Sequence, residues 1–132
     1  MQKKLDCILL IDDDEPTNYL NELILRDVDC AEHIEVAQTG DEALEYLEHA
    51  VPDEHAPVPE LIFLDINMPA MDGWEFLDRY DKFDPEQVVV VMLTTSLNPE
   101  DEQRAQSRSN IKCFVHKPLT KDKVEDILNK FF

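Results

Sequence analysis

The chain of 132 residues carries 30 acidic and 12 basic side chains, a formal net charge of −18, and 43% of its residues are hydrophobic. This length and hydrophobic content fit one globular domain with its own core, and they exclude a disordered acidic tail. The negative charge repels nucleic-acid phosphates and no basic cluster offsets it, so direct binding of DNA or RNA is not expected.

No apolar run approaches the roughly 20 residues that a membrane-spanning helix needs. The run from Cys7 to Ile11 ends in aspartates without a small-residue cleavage site, which indicates a strand and not a signal peptide. The three cysteines are widely spaced and predict neither a disulfide framework nor a zinc site. We therefore expect a cytoplasmic protein that does not bind membranes.

Five short apolar segments predict strands. Residues 7–11, 61–64 and 88–93 are unbroken runs rich in branched side chains, as in parallel strands that are covered on both faces. Residues 33–37 and 111–115 are less apolar and are predicted to lie nearer the edges of the sheet.

Helical patterns alternate with these strands. Pro16 suits the first turn of the first helix, in which Leu20, Leu23 and Ile24 follow at helical spacing. Cap residues predict where the other four helices begin: Thr39, Asp72, Asn98 and Thr120. Residues 50–60 contain three prolines and predict an extended surface loop.

This order of elements makes five β-α units. It predicts an α/β fold, a doubly wound five-stranded parallel sheet with five helices, in a single domain over residues 1–132. In such a fold, a functional site lies beyond the carboxyl ends of the strands.

Polar residues follow four of these strand ends, and the fold predicts that they converge. They are Asp12, Asp13 and Asp14 after the first strand, Asp65 after the third, Thr94, Thr95 and Ser96 after the fourth, and Lys117 after the fifth. Any one aspartate could simply cap the following helix. The joint occurrence at several strand ends instead predicts a shared pocket.

Carboxylates crowded in one pocket repel each other. At 4 Å and an effective dielectric constant near 20, each pair of like charges costs about 4 kcal/mol. A bound cation relieves that repulsion, and oxygen ligands with room for water and phosphate favour Mg²⁺. With the ammonium of Lys117 and a threonine hydroxyl nearby, the pocket resembles a cradle for a phosphoryl group in transfer.

Four segments together resemble the receiver domains of bacterial two-component systems, which have a flavodoxin-like fold. They are Ile-Leu-Leu-Ile-Asp-Asp-Asp at 8–14, Leu-Asp-Ile-Asn-Met-Pro-Ala-Met-Asp-Gly at 64–73, Met-Leu-Thr-Thr-Ser at 92–96 and Val-His-Lys-Pro at 115–118. Their order and spacing match the family over essentially the whole chain, and the second segment is highly specific.

The resemblance implies a role for each matching residue at the acidic end of the site. Asp65 is expected to be the nucleophile that accepts a phosphoryl group. Asp12, Asp13 and Asp65 are expected to hold Mg²⁺, with Asp13 binding it directly and Asp12 through water. The backbone carbonyl of Asn67 is expected to complete the protein ligands of the metal.

The resemblance also implies roles on the opposite side of the pocket. Thr94, which directly follows the apolar strand and is favoured over Thr95, is expected to bond a phosphoryl oxygen. Lys117 is expected to pair with another oxygen and with Asp65. Phe114 occupies the aromatic position that switches its packing on activation.

In this family the phosphoryl group comes from a histidine kinase or a histidine phosphotransfer protein. Because the chain ends soon after its fifth helix, we expect no attached output domain. Output is then contact with a downstream protein target or onward phosphotransfer, including the possibility of a phytochrome-like kinase as partner.

Two alternatives come from other classes. One is a binding module with the receiver fold that works without phosphorylation. The other is a magnesium-dependent phosphatase of the haloacid dehalogenase type, which also uses an aspartate nucleophile but has a different order of its acidic residues.

Overall fold

The computed structural model describes residues 4–50, 57–80, 88–109 and 111–132. The loop predicted at 50–60 lies largely outside these residues, since 51–56 are not described. The strands are β1 (Leu5–Ile11), β2 (Ala31–Ala37), β3 (Leu61–Leu64), β4 (Val89–Thr94) and β5 (Ile111–His116). The helices are α1 (Glu15–Val28), α2 (Gly40–His49), α3 (Gly73–Arg79), α4 (Pro99–Gln106) and α5 (Lys121–Phe131).

The five strands form one parallel sheet in the order β2-β1-β3-β4-β5. The two less apolar segments, β2 and β5, lie at its edges, as predicted. Each face of the sheet carries a separate buried cluster, one built around Phe76 of α3 and one around Leu25 of α1 together with Ile127 of α5. The doubly wound α/β fold predicted from the sequence is therefore confirmed.

Each helix begins at a side chain that accepts a hydrogen bond from a backbone N–H of its own first turn. These N-cap residues are Asp14, Thr39, Asp72, Asn98 and Thr120. Such a cap stabilises a helix by about 1 kcal/mol because it satisfies a donor that has no partner within the helix. The helix starts predicted from the sequence are thus confirmed.

Of the three apolar residues predicted to follow at helical spacing in helix α1, only Ile24 packs against a core cluster. Leu20 and Leu23, which follow Pro16 at helical spacing, are exposed, whereas Asn18 and Asn21 are buried. The reason is local, because the side-chain amide of Asn18 donates to the backbone carbonyl of Asp12 at 2.7 Å. The first turns of α1 therefore cover a polar region of the fold, and its apolar packing comes later, at Leu25.

Among the described residues, no helix combines the length and the apolar character that crossing a bilayer requires.

Candidate functional site

The strand end of β1 places Asp12 in the interior of the protein, where only 4% of its surface is exposed. Its backbone N–H donates to the carbonyl of Ala37, which holds the residue against β2. Its carboxylate accepts from the backbone N–H of Asp14 at 2.9 Å. Asp12 is therefore held by hydrogen bonds at both its main chain and its side chain.

Asp65 directly follows β3 and is equally buried, with 6% of its surface exposed. Its backbone N–H donates to the carbonyl of Ile11 at 3.0 Å, so it lies beside Asp12 at the same edge of the sheet. Gly73 packs against its main chain, since a Cβ atom at position 73 would lie 2.6 Å from the Asp65 carbonyl oxygen. A glycine is required there by this close approach.

The ammonium of Lys117 joins the two buried carboxylates. Its Nζ donates to Asp12 Oδ2 at 2.6 Å and lies 3.5 Å from Asp65 Oδ1. Burial by itself lowers the pKa of Lys117, but the hydrogen bond to Asp12 and the charges of Asp65 and Asp12 outweigh it and raise the pKa above its usual value. Lys117 is consequently a fixed positive charge.

The surroundings of Asp65 disfavour its ionised form even though Lys117 lies beside it. Burial, and then repulsion from Asp12 and Asp13, raises the pKa of Asp65 from 3.8 to about 6, against the opposing attraction of Lys117. At neutral pH the carboxyl group is still ionised, so the pocket holds more negative charge than one lysine neutralises.

Thr94 ends β4 and is fully buried, whereas Thr95 is exposed. The Thr94 carbonyl accepts from the backbone N–H of Lys117 at 2.8 Å, which ties the ends of β4 and β5 together. The Thr94 hydroxyl oxygen accepts from the backbone N–H of Ser96 at 3.1 Å. Because that bond uses the oxygen as an acceptor, the hydroxyl hydrogen remains available for donation.

The three aspartates form a group compatible with a metal ion. One carboxylate oxygen from each of Asp12, Asp13 and Asp65 lies within 4.8 Å of the other two. Ligand oxygens on opposite sides of one Mg²⁺ are about 4.2 Å apart, from bond lengths of about 2.1 Å. Adjacent ligand oxygens of such an ion are about 3.0 Å apart, so the oxygens of the three aspartates, of which Asp13 is exposed, lie near the spacing that one ion requires. The hard oxygen donors and the raised pKa of Asp65 both fit a cation at this position.

The remaining predicted residues lie around the pocket. Asn67 is exposed in the loop that follows Asp65. Phe114 is half-buried on β5, packs against the cluster on the α3 face of the sheet, and meets the ring of His116 edge-to-face with 5.5 Å between centroids. The aromatic position predicted as a switch is thus on the strand that leads to Lys117.

Sequence reasoning did not predict how several residues build the pocket without entering it. Asn18 holds the main chain of Asp12, and Gly73 makes room for that of Asp65. Asp14, grouped with the other acids by its position, is the N-cap of α1. The hydroxyl of Ser96 donates to Asp101 in the first turn of α4 at 2.5 Å. Pro16, two residues after Asp14, was the available signal for this cap, because proline is favoured in the first turn of a helix.

Residues 8–129 match the model of the response regulator receiver domain. The chain therefore belongs to the receiver-domain family, a class of signalling modules in two-component systems, as its sequence predicted. The response regulator Rcp1 of Synechocystis sp. is 32% identical over 111 residues, which are 83% of this chain and 75% of that protein.

Solved structures agree with this assignment. A two-component response regulator from Cytophaga hutchinsonii has a TM-score of 0.87 at 34% identity, covering 98% of both chains. The bacteriophytochrome response regulator AtBRR has a TM-score of 0.76 at 29% identity, covering 97% of this chain and 93% of that one.

Proposed function

We propose that this chain accepts a phosphoryl group onto Asp65 from a phosphohistidine of a histidine kinase or a histidine phosphotransfer protein, in a Mg²⁺-dependent reaction. The observation that carries the proposal is the bridge that the Lys117 ammonium makes between Asp12 at 2.6 Å and Asp65 at 3.5 Å. A buried carboxylate that lies beside a fixed ammonium group and next to carboxylates able to hold a metal ion has the groups that phosphoryl transfer needs.

In this reaction an ionised oxygen of Asp65 attacks the phosphorus in line with the leaving histidine nitrogen. The new bond is a carboxyl oxygen–phosphorus bond, and the electron pair of the broken nitrogen–phosphorus bond stays on the histidine. Lys117 pairs with one phosphoryl oxygen and the Thr94 hydroxyl donates to another. Asp12, Asp13 and Asp65, with the carbonyl of Asn67, would hold Mg²⁺, and the ion would neutralise charge on the transferred group.

The signal then passes through the strand ends. Thr94 is joined to Lys117 through its main chain and lies in register with His116, two residues beyond Phe114. A hydroxyl drawn towards the phosphoryl group would change the packing around Phe114 and bias a two-state equilibrium of the neighbouring surface.

Helix α4 is suited to such a shift because few apolar contacts hold it. Ala105 is its buried residue, and two arginines, one within α4 and one just after its end, reach α3. Arg104 lies 4.6 Å from the ring centroid of Trp74, and Arg108 pairs with Asp78 at 3.0 Å. Polar and cation–π contacts of this kind re-form more easily than close apolar packing, so α4 is the element proposed to present the signal to a downstream protein.

A binding module that works without phosphorylation has no need for the repulsion stored at Asp65, which raises its pKa to about 6. The unfavourable ionisation of Asp65 instead fits a pocket in which a bound metal ion relieves the repulsion and the carboxylate accepts a phosphoryl group. The family match also separates the chain from phosphatases of the haloacid dehalogenase type.

The direct experiment is incubation with phosphoramidate and Mg²⁺, followed by the intact mass of the protein. We expect a gain of one phosphoryl group that is lost with a chelator and in Asp65→Asn. An unchanged mass of the native chain under every small-molecule donor and a partner kinase would overturn the proposal.

The paired threonines supply an internal control for the geometry. Thr94→Ala removes the buried hydroxyl and should slow phosphorylation, whereas Thr95→Ala changes an exposed side chain and should leave the rate close to that of the native chain. The reverse order of effects would reassign the hydroxyl to Thr95.

A further inference from the structure

A second lysine holds the loop that carries Lys117. Lys123 lies in the first turn of α5, where its backbone N–H is bound by the capping hydroxyl of Thr120. Its Nζ donates to the carbonyl of His116 at 2.7 Å and to the carbonyl of Pro118 at 2.8 Å. These two carbonyls belong to the residues immediately before and after Lys117.

This arrangement fixes the main chain on both sides of one residue. From the other direction, the backbone N–H of Lys117 donates to the carbonyl of Thr94. The segment from His116 to Pro118 is therefore held between β4 and α5 by three hydrogen bonds, two of them charge-assisted. The side chain of Lys117 leaves this segment to reach Asp12 and Asp65.

We propose that Lys123 is a positioning residue for Lys117, setting where its ammonium stands between Asp12 and Asp65. The inference rests on the proposed function, because the position of Lys117 matters for rate only if Asp65 accepts a phosphoryl group. A displacement of about 1 Å in a reacting constellation can lower a rate by as much as 10²-fold, so a loosened loop has a measurable effect.

Lys121 provides a matched control on the same helix. It also lies in the first turn of α5, and its ammonium pairs with Asp27 of α1 instead of the loop. Replacing either lysine with methionine keeps most of the aliphatic stem and removes one positive charge. A difference between the two variants therefore reports the loop contacts and not the general loss of charge.

The experiment uses the full chain and has two readouts. The first is hydrogen exchange of the Lys117 amide by NMR, which needs no phosphorylation. The second is the rate of phosphorylation by phosphoramidate with Mg²⁺. In Lys123→Met we expect the protection of this amide to fall at least tenfold, on the order of one lost hydrogen bond, and the rate to fall about tenfold.

Two further variants complete the test. Lys123→Arg can still donate to both carbonyls and should restore the protection and the rate. Lys121→Met should resemble the native chain in both.

The inference is overturned if Lys123→Met leaves the Lys117 amide protected, if Lys121→Met causes the same loss, or if amides of β1 lose protection to the same extent, which would indicate global destabilisation. An absence of phosphorylation in the native chain would instead refute the proposed function. The exchange data would still decide whether Lys123 holds the loop.

Discussion

Replacing Asp65 with asparagine should stabilise the folded chain in the absence of divalent cations. The native carboxyl group is 6% exposed, and burial with repulsion from Asp12 raises its pKa from 3.8 to about 6. An acid with a raised pKa in the folded state binds its proton more tightly there than in the unfolded state. Above pH 6 the ionised group therefore destabilises the fold, and asparagine removes this charge with little change in shape.

The size of the effect follows from the shift. Two pKa units correspond to about 3 kcal/mol at 1.36 kcal/mol per unit, and solvent at the exposed Asp13 side of the pocket screens part of it. We expect Asp65→Asn to raise the free energy of unfolding by about 2 kcal/mol at pH 7.5. The gain should shrink as the pH falls through 6, to roughly half at pH 5, because the native carboxyl group then becomes neutral.

Urea denaturation in the presence of a chelator, at pH 7.5 and at pH 5, measures both quantities. Asp6→Asn is the control, because Asp6 is exposed on β1 and its replacement also lowers the large net negative charge by one. Its effect should stay within about 0.5 kcal/mol.

Adding Mg²⁺ should then make the native chain more stable than the Asp65→Asn variant. A cation that binds the native carboxylates stabilises the native chain, and it stabilises the variant less because the variant lacks one of them. The reasoning is refuted if Asp65→Asn raises the free energy of unfolding no more than Asp6→Asn does, or if Asp65→Asn raises it equally at both pH values.

Three more predictions follow from the contacts around the pocket. Asp13→Asn removes one of the three grouped carboxylates, so Mg²⁺ should raise its melting temperature less than that of the native chain, in thermal scans at increasing Mg²⁺; an equal rise would exclude Asp13 as a ligand. Gly73→Ala places a Cβ atom 2.6 Å from the Asp65 carbonyl oxygen and should cost about 2 kcal/mol in urea denaturation, and an unaffected stability would show that this loop yields freely. Asn18→Leu would make the buried face of α1 more apolar, but it should lower the free energy of unfolding by about 1–3 kcal/mol because the Asp12 carbonyl loses its donor. Leu20→Asn on the exposed face is the control and should change the free energy of unfolding little.

The sheet could be predicted from the sequence because its central strands are buried on both faces and form unbroken apolar runs. The first residues of the strands were harder to predict from the sequence. Strand β1 begins at Leu5, two residues before the apolar run. The exposed Asp6 interrupts that run in the sequence, but it does not end the hydrogen-bonded ladder of the strand. The start of β2 at Ala31 is set by its pairing with Leu5 and not by its own composition.

The convergence of the charged groups of the candidate site could be predicted because each stands directly after a strand, where the fold itself brings them together. Asp12, Asp65 and Lys117 needed only the strand order to be placed in one pocket. Asn18 and Lys123 could not be found in this way, because both act on backbone carbonyls. Every residue has such a carbonyl, so these contacts leave no pattern in the sequence.

Mapping the phosphorylated residue tests the central claim most directly. Borohydride reduces an aspartyl phosphate to homoserine, so the protein treated with phosphoramidate and Mg²⁺ can be reduced, digested and sequenced by tandem mass spectrometry. Homoserine at position 65, and aspartate at positions 12 and 13, is the predicted result. Reduction at another aspartate, or a phosphoryl group on Ser96 or Thr94 with Asp65 intact, would contradict it.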